Sequence, residues 1–286
     1  MKTSITTRQS ETRISVIVPT YNRAHYLNGA LSSLVQQETD GCFRYEVLIV
    51  DNASTDITRD VVEAFAATSK VPVRYLLETQ RGDAPPRNRG IRESNGQWLA
   101  FFDDDQFAEP RWLLNLLNAA EQHGAKLVGG PVNLDLDSAT IQQLSPSCRR
   151  ALRETRPYAT DKPCGANVNP GTGNMLVARE LFDQIGLFRE DMPNGGSDWR
   201  FVADARAAGV VPWYAADAAI RHRVDQDRMA PEYFCCDAVN GGLHQADIDF
   251  RTKGAASVLL RCAVRTVRAA LRLPLLLLSA FRPPAC

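Results

Sequence analysis

The chain has 286 residues, 44% of them hydrophobic and 23% charged, enough for one large core and too ordinary in composition for a disordered chain, a small disulfide scaffold or a polytopic membrane protein. Its 33 basic and 33 acidic residues cancel, yet seven of the basic ones (Arg251, Lys253, Arg261, Arg265, Arg268, Arg272 and Arg282) follow Asp249 with no acid among them. Taking those seven away leaves 26 basic against 33 acidic residues upstream, an acidic body unsuited to phosphate backbones, so no nucleic acid is expected as a partner.

Residues 1–13 are polar and rich in Thr and Ser without an apolar stretch, which predicts a flexible N-terminus and no signal peptide. Ile14, Val16, Ile17 and Val18 form a β-branched run that stops at Pro19, after which Leu27, Ala30, Leu31 and Leu34 recur at helical spacing. The order repeats. A strand over 45–50 precedes a helix marked by Val61, Val62 and Phe65, and a strand over 73–77 precedes a helix around 87–93 that Asn95-Gly96 can end. Residues 98–102 are apolar throughout, as in a strand covered on both faces, and three aspartates follow. Pro110 suits the first turn of a helix with Trp112, Leu113, Leu116 and Leu117 inward; Gly124 closes it, and another strand begins at 127–129. This alternation predicts an α/β fold with a doubly wound, mostly parallel sheet.

Residues 133–170 have little periodicity and read as an irregular excursion with a short helix at 149–154. Regular structure returns with a strand at 175–178, helices over 180–185 and 197–208, and strands at 210–214 and 220–224. Near the end, Arg261, Arg265, Arg268 and Arg272 align on one helical stripe beside Leu260, Val264, Val267 and Leu271, the pattern of a basic amphipathic helix. Pro274 should end or kink it, and the uncharged run over 273–281, with its apolar plug at 275–278, is too short to span a bilayer. The expected organisation is a lead-in at 1–13, an α/β domain at 14–250 and a basic tail at 251–286 that lies on an anionic membrane surface. Packing of that helix on the α/β domain is the competing reading. Seven cysteines without a CxxC pair argue for reduced thiols, hence a cytoplasmic protein, peripheral at the inner face of the membrane.

In parallel sheets ligands bind beyond the carboxyl ends of the strands. Here those ends read Pro19-Thr20-Tyr21-Asn22-Arg23, Asp51-Asn52-Ala53-Ser54-Thr55-Asp56 and Asp103-Asp104-Asp105. The triplet offers carboxylates able to hold a hard divalent cation, Mg²⁺ or Mn²⁺, with positions left for phosphate oxygens; a solvated loop is the plainer alternative. Three anions at a dry strand end would repel one another without a counter-cation. Asp51 is placed to accept hydrogen bonds from a nucleotide, Ser54 or Thr55 being the better helix cap. Gly82 with Arg87-Asn88-Arg89-Gly90 combines a tight turn with guanidinium groups that can meet a diphosphate, unless they are only a solvated helix face.

Taken in order, these segments, with Gly171-Thr172-Gly173-Asn174, Gly195-Gly196-Ser197-Asp198 and Ile220-Arg221-His222, resemble the inverting family 2 nucleotide-sugar glycosyltransferases of the GT-A fold, from Ile14 to about His222. The resemblance implies a nucleotide-sugar site formed by Pro19, Thr20, Tyr21, Arg23, Asp51, Asn52, Gly82, Arg87, Asn88, Asp103 and Asp104. It also implies a metal held by Asp105 with Asp103 and His222, and Asp198 as catalytic base. A satisfied surface histidine remains the other reading of His222. Asp198 also suits the role on position, since the first turn of a helix stabilises a carboxylate.

Ser197 departs from the family, which carries Glu there, and this bears on acceptor handling. The QxxRW element of processive synthases is absent, so one sugar per encounter is expected. The implied activity is metal-dependent transfer from a nucleotide diphosphate sugar, UDP or dTDP, to a glycan or lipid-linked acceptor. A catalytically silent scaffold is the main rival; a sugar-phosphate nucleotidyltransferase is disfavoured because no glycine-rich loop follows the first strand.

Overall fold

The computed structural model describes residues 12–192 and 195–280. Strands and helices first alternate: β1 (Thr12–Thr20), α1 (Ala24–Val35), β2 (Arg44–Asp51), α2 (Thr58–Thr68), β3 (Val73–Leu77), α3 (Ala84–Glu93) and β4 (Trp98–Phe102). There follow β5 (Gln106–Ala108), α4 (Trp112–His123), β6 (Leu127–Gly129), β7 (Val132–Asp135), α5 (Ser138–Gln143), α6 (Pro146–Ala151) and β8 (Lys162–Pro163). The remainder comprises β9 (Asn174–Ala178), α7 (Arg179–Ile185), α8 (Ser197–Ala207), β10 (Trp213–Tyr214), β11 (Ile220–Arg223), α9 (Pro231–Lys253) and α10 (Ala255–Ala280).

Eight strands form one sheet in the order β3-β2-β1-β4-β9-β6-β10-β8. Its first four strands are mutually parallel, whereas β9 runs antiparallel to both β4 and β6. Along β1, Val16 and Val18 enter an apolar cluster with Leu27, Leu31 and Leu34 of α1, while Ile17 enters a second cluster with Ile91 of α3. The same division separates Ala100 and Phe102 from Leu99 and Phe101 on β4. Both strands are therefore covered on both faces, and each fully buried Leu, Ile or Phe contributes about 1.5–3 kcal/mol. A smaller sheet in the order β5-β11-β7 sits beyond the end of β4.

Several expected boundaries move for identifiable reasons. Helix α3 starts three residues earlier than its apolar pattern suggests, because Pro85 and Pro86 occupy a first turn in which their missing N–H groups cost nothing. It ends at Ser94 in an extended conformation rather than at Asn95-Gly96. Gly96 is instead required by a close approach: a Cβ there would lie 2.5 Å from the Ser15 backbone nitrogen. Gly96→Ala is expected to destabilise the fold by roughly 1–3 kcal/mol, the usual cost of overpacking, read as a lower urea midpoint with an unchanged slope. Pro110 precedes α4, with Arg111 at its cap, and α5 and α6 replace the single short helix expected at 149–154. Strand β10 is shorter than 210–214 because the Val210 amide bonds to Ala205 O and closes α8.

The chain divides into two compact units, one ending at Ala230 and one beginning at Pro231. In the second unit α9 and α10 are tied by Asp249, whose Oδ2 lies 2.8 Å from Arg261 Nε. Arg261 is thus held in an ion pair, while Arg265 and Arg268 are exposed, as are Leu260, Val264, Val267 and Leu271. Helix α10 does not end at Pro274. No helix among the described residues is long and apolar enough to cross a membrane. The expected lead-in as far as residue 11, Phe281 and Arg282 lie outside the described residues, as do the side chains of Arg251, Arg272 and the apolar run from 273 onward.

Candidate active site

The ends of β1, β2 and β4 lie side by side because the three strands are parallel and in register, Thr20 facing Asp51. The three aspartates after β4 diverge, and each has its own set of partners, with Arg23 shared by Asp104 and Asp105. Asp104 is buried, with Oδ2 accepting from Thr20 Oγ1 at 2.7 Å and Oδ1 from Arg23 Nη1 at 2.9 Å. Asp103 takes Arg87 Nη2 at 3.3 Å. Asp105 accepts from Arg228 Nη2 at 3.1 Å and Arg23 Nη1 at 3.2 Å through Oδ2, with His222 Nε2 3.5 Å from Oδ1. The counter-charge that the triplet needs is therefore supplied by three guanidinium groups.

Electrostatics separate the three carboxyls. Burial, reinforced by the charges of Asp105 and Asp104 and opposed by Arg87, pushes Asp103 up to about 6. Burial also raises Asp104, against the pull of Arg23. Burial would raise Asp105 too, but the His222 ring, Arg23 and Arg228 outweigh it and hold the carboxyl down at about 2. Asp105 is the carboxylate that stays charged most firmly.

His222 is buried, only 4% exposed, which rules out the surface-histidine reading. Strand β11 pairs antiparallel with β5 so that His222 stands opposite Gln106, the residue after the triplet, and the Arg223 amide donates to Asp105 O at 2.9 Å. Among the described residues no three His, Cys, Asp or Glu side chains form a metal cage by themselves. Asp105 Oδ1 and His222 Nε2 are nonetheless adjacent oxygen and nitrogen donors. Such a partial shell fits Mg²⁺ or Mn²⁺, which commonly bind one or two protein ligands and complete their coordination with water and substrate phosphate.

The loop after β2 is built from its own polar residues. Asp51 is buried, with Oδ1 accepting from Ser54 N at 2.9 Å and Ser54 Oγ at 2.5 Å, and Oδ2 from Tyr75 Oη at 2.7 Å. Ser54 therefore serves this turn; α2 has Ile57 at its N-cap, and the residue before it, Asp56, accepts from the amide and hydroxyl of Thr58, the first residue of the helix. Asn52 donates to Glu78 O and Gln80 O and accepts from Gly82 N, pinning the segment before α3. Asn22, at φ 51°, accepts from Thr55 N and so joins the loops after β1 and β2. Tyr21, next after Pro19 and Thr20, is exposed and carries the Arg81 guanidinium 3.7 Å above its ring centroid. Asn88 spends its amide on both backbone groups of Phe188 and on Glu190, so its hydrogen bonds build the scaffold.

Arg87 is buried between Asp83 and Asp103. Ser197 Oγ donates to Asp83 Oδ2 at 2.6 Å, so Ser197 ties the first turn of α8 to the carboxylate at the N-cap of α3. The next residue, Asp198, accepts from Trp199 N through Oδ1 at 2.7 Å. Its Oδ2 borders the loop 171–173: a Cβ on Gly171 would lie 3.4 Å from it, and one on Gly173 would lie 2.9 Å from Asp103 Oδ2. That glycine loop thus touches the triplet at one end and Asp198 at the other.

The sequence reading overlooked Arg228, Asp83 and Gln106. Arg228 and Asp83 leave only an indirect trace, the surplus of negative charge at the triplet and the missing carboxylate at Ser197. Gln106, hydrogen-bonded to Asp103 N, leaves none.

Residues 15–186 match the sequence profile described as Glycosyl transferase family 2. The chain is 31% identical over 205 residues to glycosyltransferase AglE of Haloferax volcanii, covering 71% of this chain and 64% of that one. It is 37% identical over 120 residues to validoxylamine A glucosyltransferase of Streptomyces hygroscopicus subsp. jinggangensis, covering 41% and 28%. It therefore spans less than two thirds of either relative. Among solved structures, a mannosyltransferase of Pyrobaculum calidifontis in complex with GDP-Man and Mn²⁺ superposes with a TM-score of 0.63 at 20% identity, over 96% of this chain and 82% of that one. The S. aureus TarS structure in complex with UDP superposes with a TM-score of 0.56 at 20% identity, over 82% and 65%. Both share the GT-A architecture described above.

Proposed function

Since the chain belongs to glycosyl transferase family 2, we infer that it moves one sugar from a nucleotide diphosphate sugar to an acceptor hydroxyl with inversion at the anomeric carbon. The observation that carries this reading is the glycine loop 171–173, which borders the aspartate triplet at one end and Asp198 at the other. The donor would lie over the ends of β1, β2 and β4, its base toward Tyr21 and Asp51 and its diphosphate toward Arg23 and Arg87. Asp198 Oδ2 takes the proton from the acceptor hydroxyl as that oxygen attacks the anomeric carbon in line, and the nucleoside diphosphate leaves. Asp105 with His222 would hold Mg²⁺ or Mn²⁺, which would neutralise charge on the departing diphosphate, while Asp103, paired with Arg87, stands outside that pair of ligands.

UDP or dTDP is the proposed nucleotide, and the acceptor a glycan or lipid-linked glycan. A thermal-shift panel of UDP, dTDP and GDP with and without Mn²⁺ tests this. At a hundredfold excess over Kd a ligand adds about 2.7 kcal/mol to stability, so a clear metal-dependent rise in Tm with UDP or dTDP is expected. No rise with any of the three nucleotides would overturn the reading.

The exposed Arg265 and Arg268 beside Leu260, Val264, Val267 and Leu271 support attachment to an anionic membrane surface, where each arginine is worth about 1 kcal/mol. The full chain is expected to sediment with phosphatidylserine vesicles and not with neutral ones. Arg265→Glu combined with Arg268→Glu should release it; undiminished sedimentation of that variant would remove the membrane from the account.

A further inference from the structure

Arg228 touches both side chains that would bind a cation: His222 at Nε2 itself, and Asp105 at Oδ2, the oxygen beside the Oδ1 that faces the ring. Its Nη2 lies 3.1 Å from Asp105 Oδ2 and its Nη1 3.1 Å from His222 Nε2, with the side chain 20% exposed. A guanidinium only donates, so in the neutral tautomer with the proton on Nδ1 the second contact engages the lone pair of Nε2, the electron pair that a metal would take; with the proton on Nε2 the ring faces Asp105 Oδ1 instead. Arg23 also reaches Asp105 Oδ2, at 3.2 Å, but its other partner is Asp104. Arg228 is the group that bridges carboxylate and imidazole.

A cation on Oδ1 and Nε2 would take the ring nitrogen that Arg228 Nη1 touches and would lie against the guanidinium charge held on Oδ2, so fork and cation exclude one another. Arg228 belongs to the 3-10 turn Gln226–Met229, outside β11, whereas His222 and Asp105 are fixed by the pairing of β11 with β5. The donors are rigid and their occupant is on a turn. A guanidinium displaced from a carboxylate finds its best alternative partner in a phosphate, which matches its fork geometry.

We propose that Arg228 is an exchangeable plug, seated on Asp105 and His222 in the free protein and transferred to the donor diphosphate when cation and donor bind. This rests on the metal-dependent reading above. Its consequence is cooperativity: donor binding removes the plug from the metal donors, and cation binding releases the plug for the donor, by the same factor in each direction.

The test is Mn²⁺ binding to the full chain, followed by electron paramagnetic resonance, with and without UDP, with GDP as a second nucleotide probe. Without nucleotide, Arg228→Met should bind Mn²⁺ tighter than wild type by roughly 5- to 150-fold, the range of ordinary coupling, while the tightening that the nucleotide confers on Mn²⁺ shrinks. Arg228→Lys should also bind Mn²⁺ more tightly, since a point-like ammonium cannot bridge both donors. Unchanged affinity in both variants would overturn the plug, and so would tightening in Arg228→Met alone, which would mean simple charge repulsion. Weaker binding of every ligand together with a lower Tm would assign Arg228 a structural role and also overturn it. If wild type binds nucleotide but no Mn²⁺ under any condition, the metal-dependent reading fails and takes the plug with it; Mn²⁺ binding without a variant effect removes only the plug.

Discussion

Asp105→Ala is expected to lose sugar transfer entirely while the chain still folds. Asp105 is the carboxyl that its neighbours hold at about 2, so it offers a permanent anion to a cation across the physiological range. The alanine variant removes that anion together with the partner of His222. Arg23 keeps Asp104 as a partner, and removing one of three crowded carboxylates relieves repulsion, which is why folding should survive. Turnover with saturating Mn²⁺, the circular dichroism spectrum and Mn²⁺ affinity in the presence of UDP would be compared with wild type. Full activity in a folded variant would end the metal assignment.

Asp198→Asn should lower turnover by a factor on the order of 10² to 10⁴, the usual worth of a positioned general base, with donor affinity almost unchanged. The substitution is nearly isosteric, and an amide oxygen can still accept from Trp199 N, the bond now made by Oδ1. Only the proton-accepting capacity at Oδ2, beside Gly171, is lost. Donor-sugar hydrolysis and acceptor transfer would be followed in parallel, with UDP affinity measured separately. An equal loss of UDP affinity would relocate Asp198 to the nucleotide pocket, and unchanged transfer would leave the base to another residue.

The elements that were legible in advance are those whose burial is local and periodic. Residues 98–102 are apolar because β4 is covered on both faces, and Gly124 ends α4 at φ 58° as its position suggests. The strand ends that carry Thr20, Asp51 and the triplet could be found the same way. The small sheet was harder: only β11 was read in advance, at 220–224, while β5 and β7, with three and four residues, are too short to show a period. Helix α9 was hidden by Gly241 and Gly242 in its interior, residues that cost about 1 kcal/mol each there. The partners of the aspartates were not legible either, because Arg228 meets Asp105 across 123 positions of chain, and no local pattern encodes such a meeting. Asn52 and Asn88 show the converse. The resemblance implies nucleotide-sugar contact for both, and their amides are engaged by loop or buried backbone groups, with Glu190 as a further partner of Asn88, a need visible only once the loops are closed.

Strand β11 has consequences for how this scaffold can change length. Its residues alternate inward and outward: Ile220 and His222 are buried, Arg221 and Arg223 exposed. A slip of one position in its pairing with Gln106 and Leu134 would turn the histidine to water and bring an arginine against the carboxylates. The five residues 215–219 between β10 and β11 therefore act as a parity check: removing one should silence the site, whereas removing or adding two preserves the facing. The excursion after β7 is under no such arithmetic. Residues 136–161 lie between β7 and β8, and lengthening a loop costs only slowly in entropy. Grafting new acceptor-binding loops should accordingly be tolerated at 136–161 and fail, in alternation with length, at 215–219.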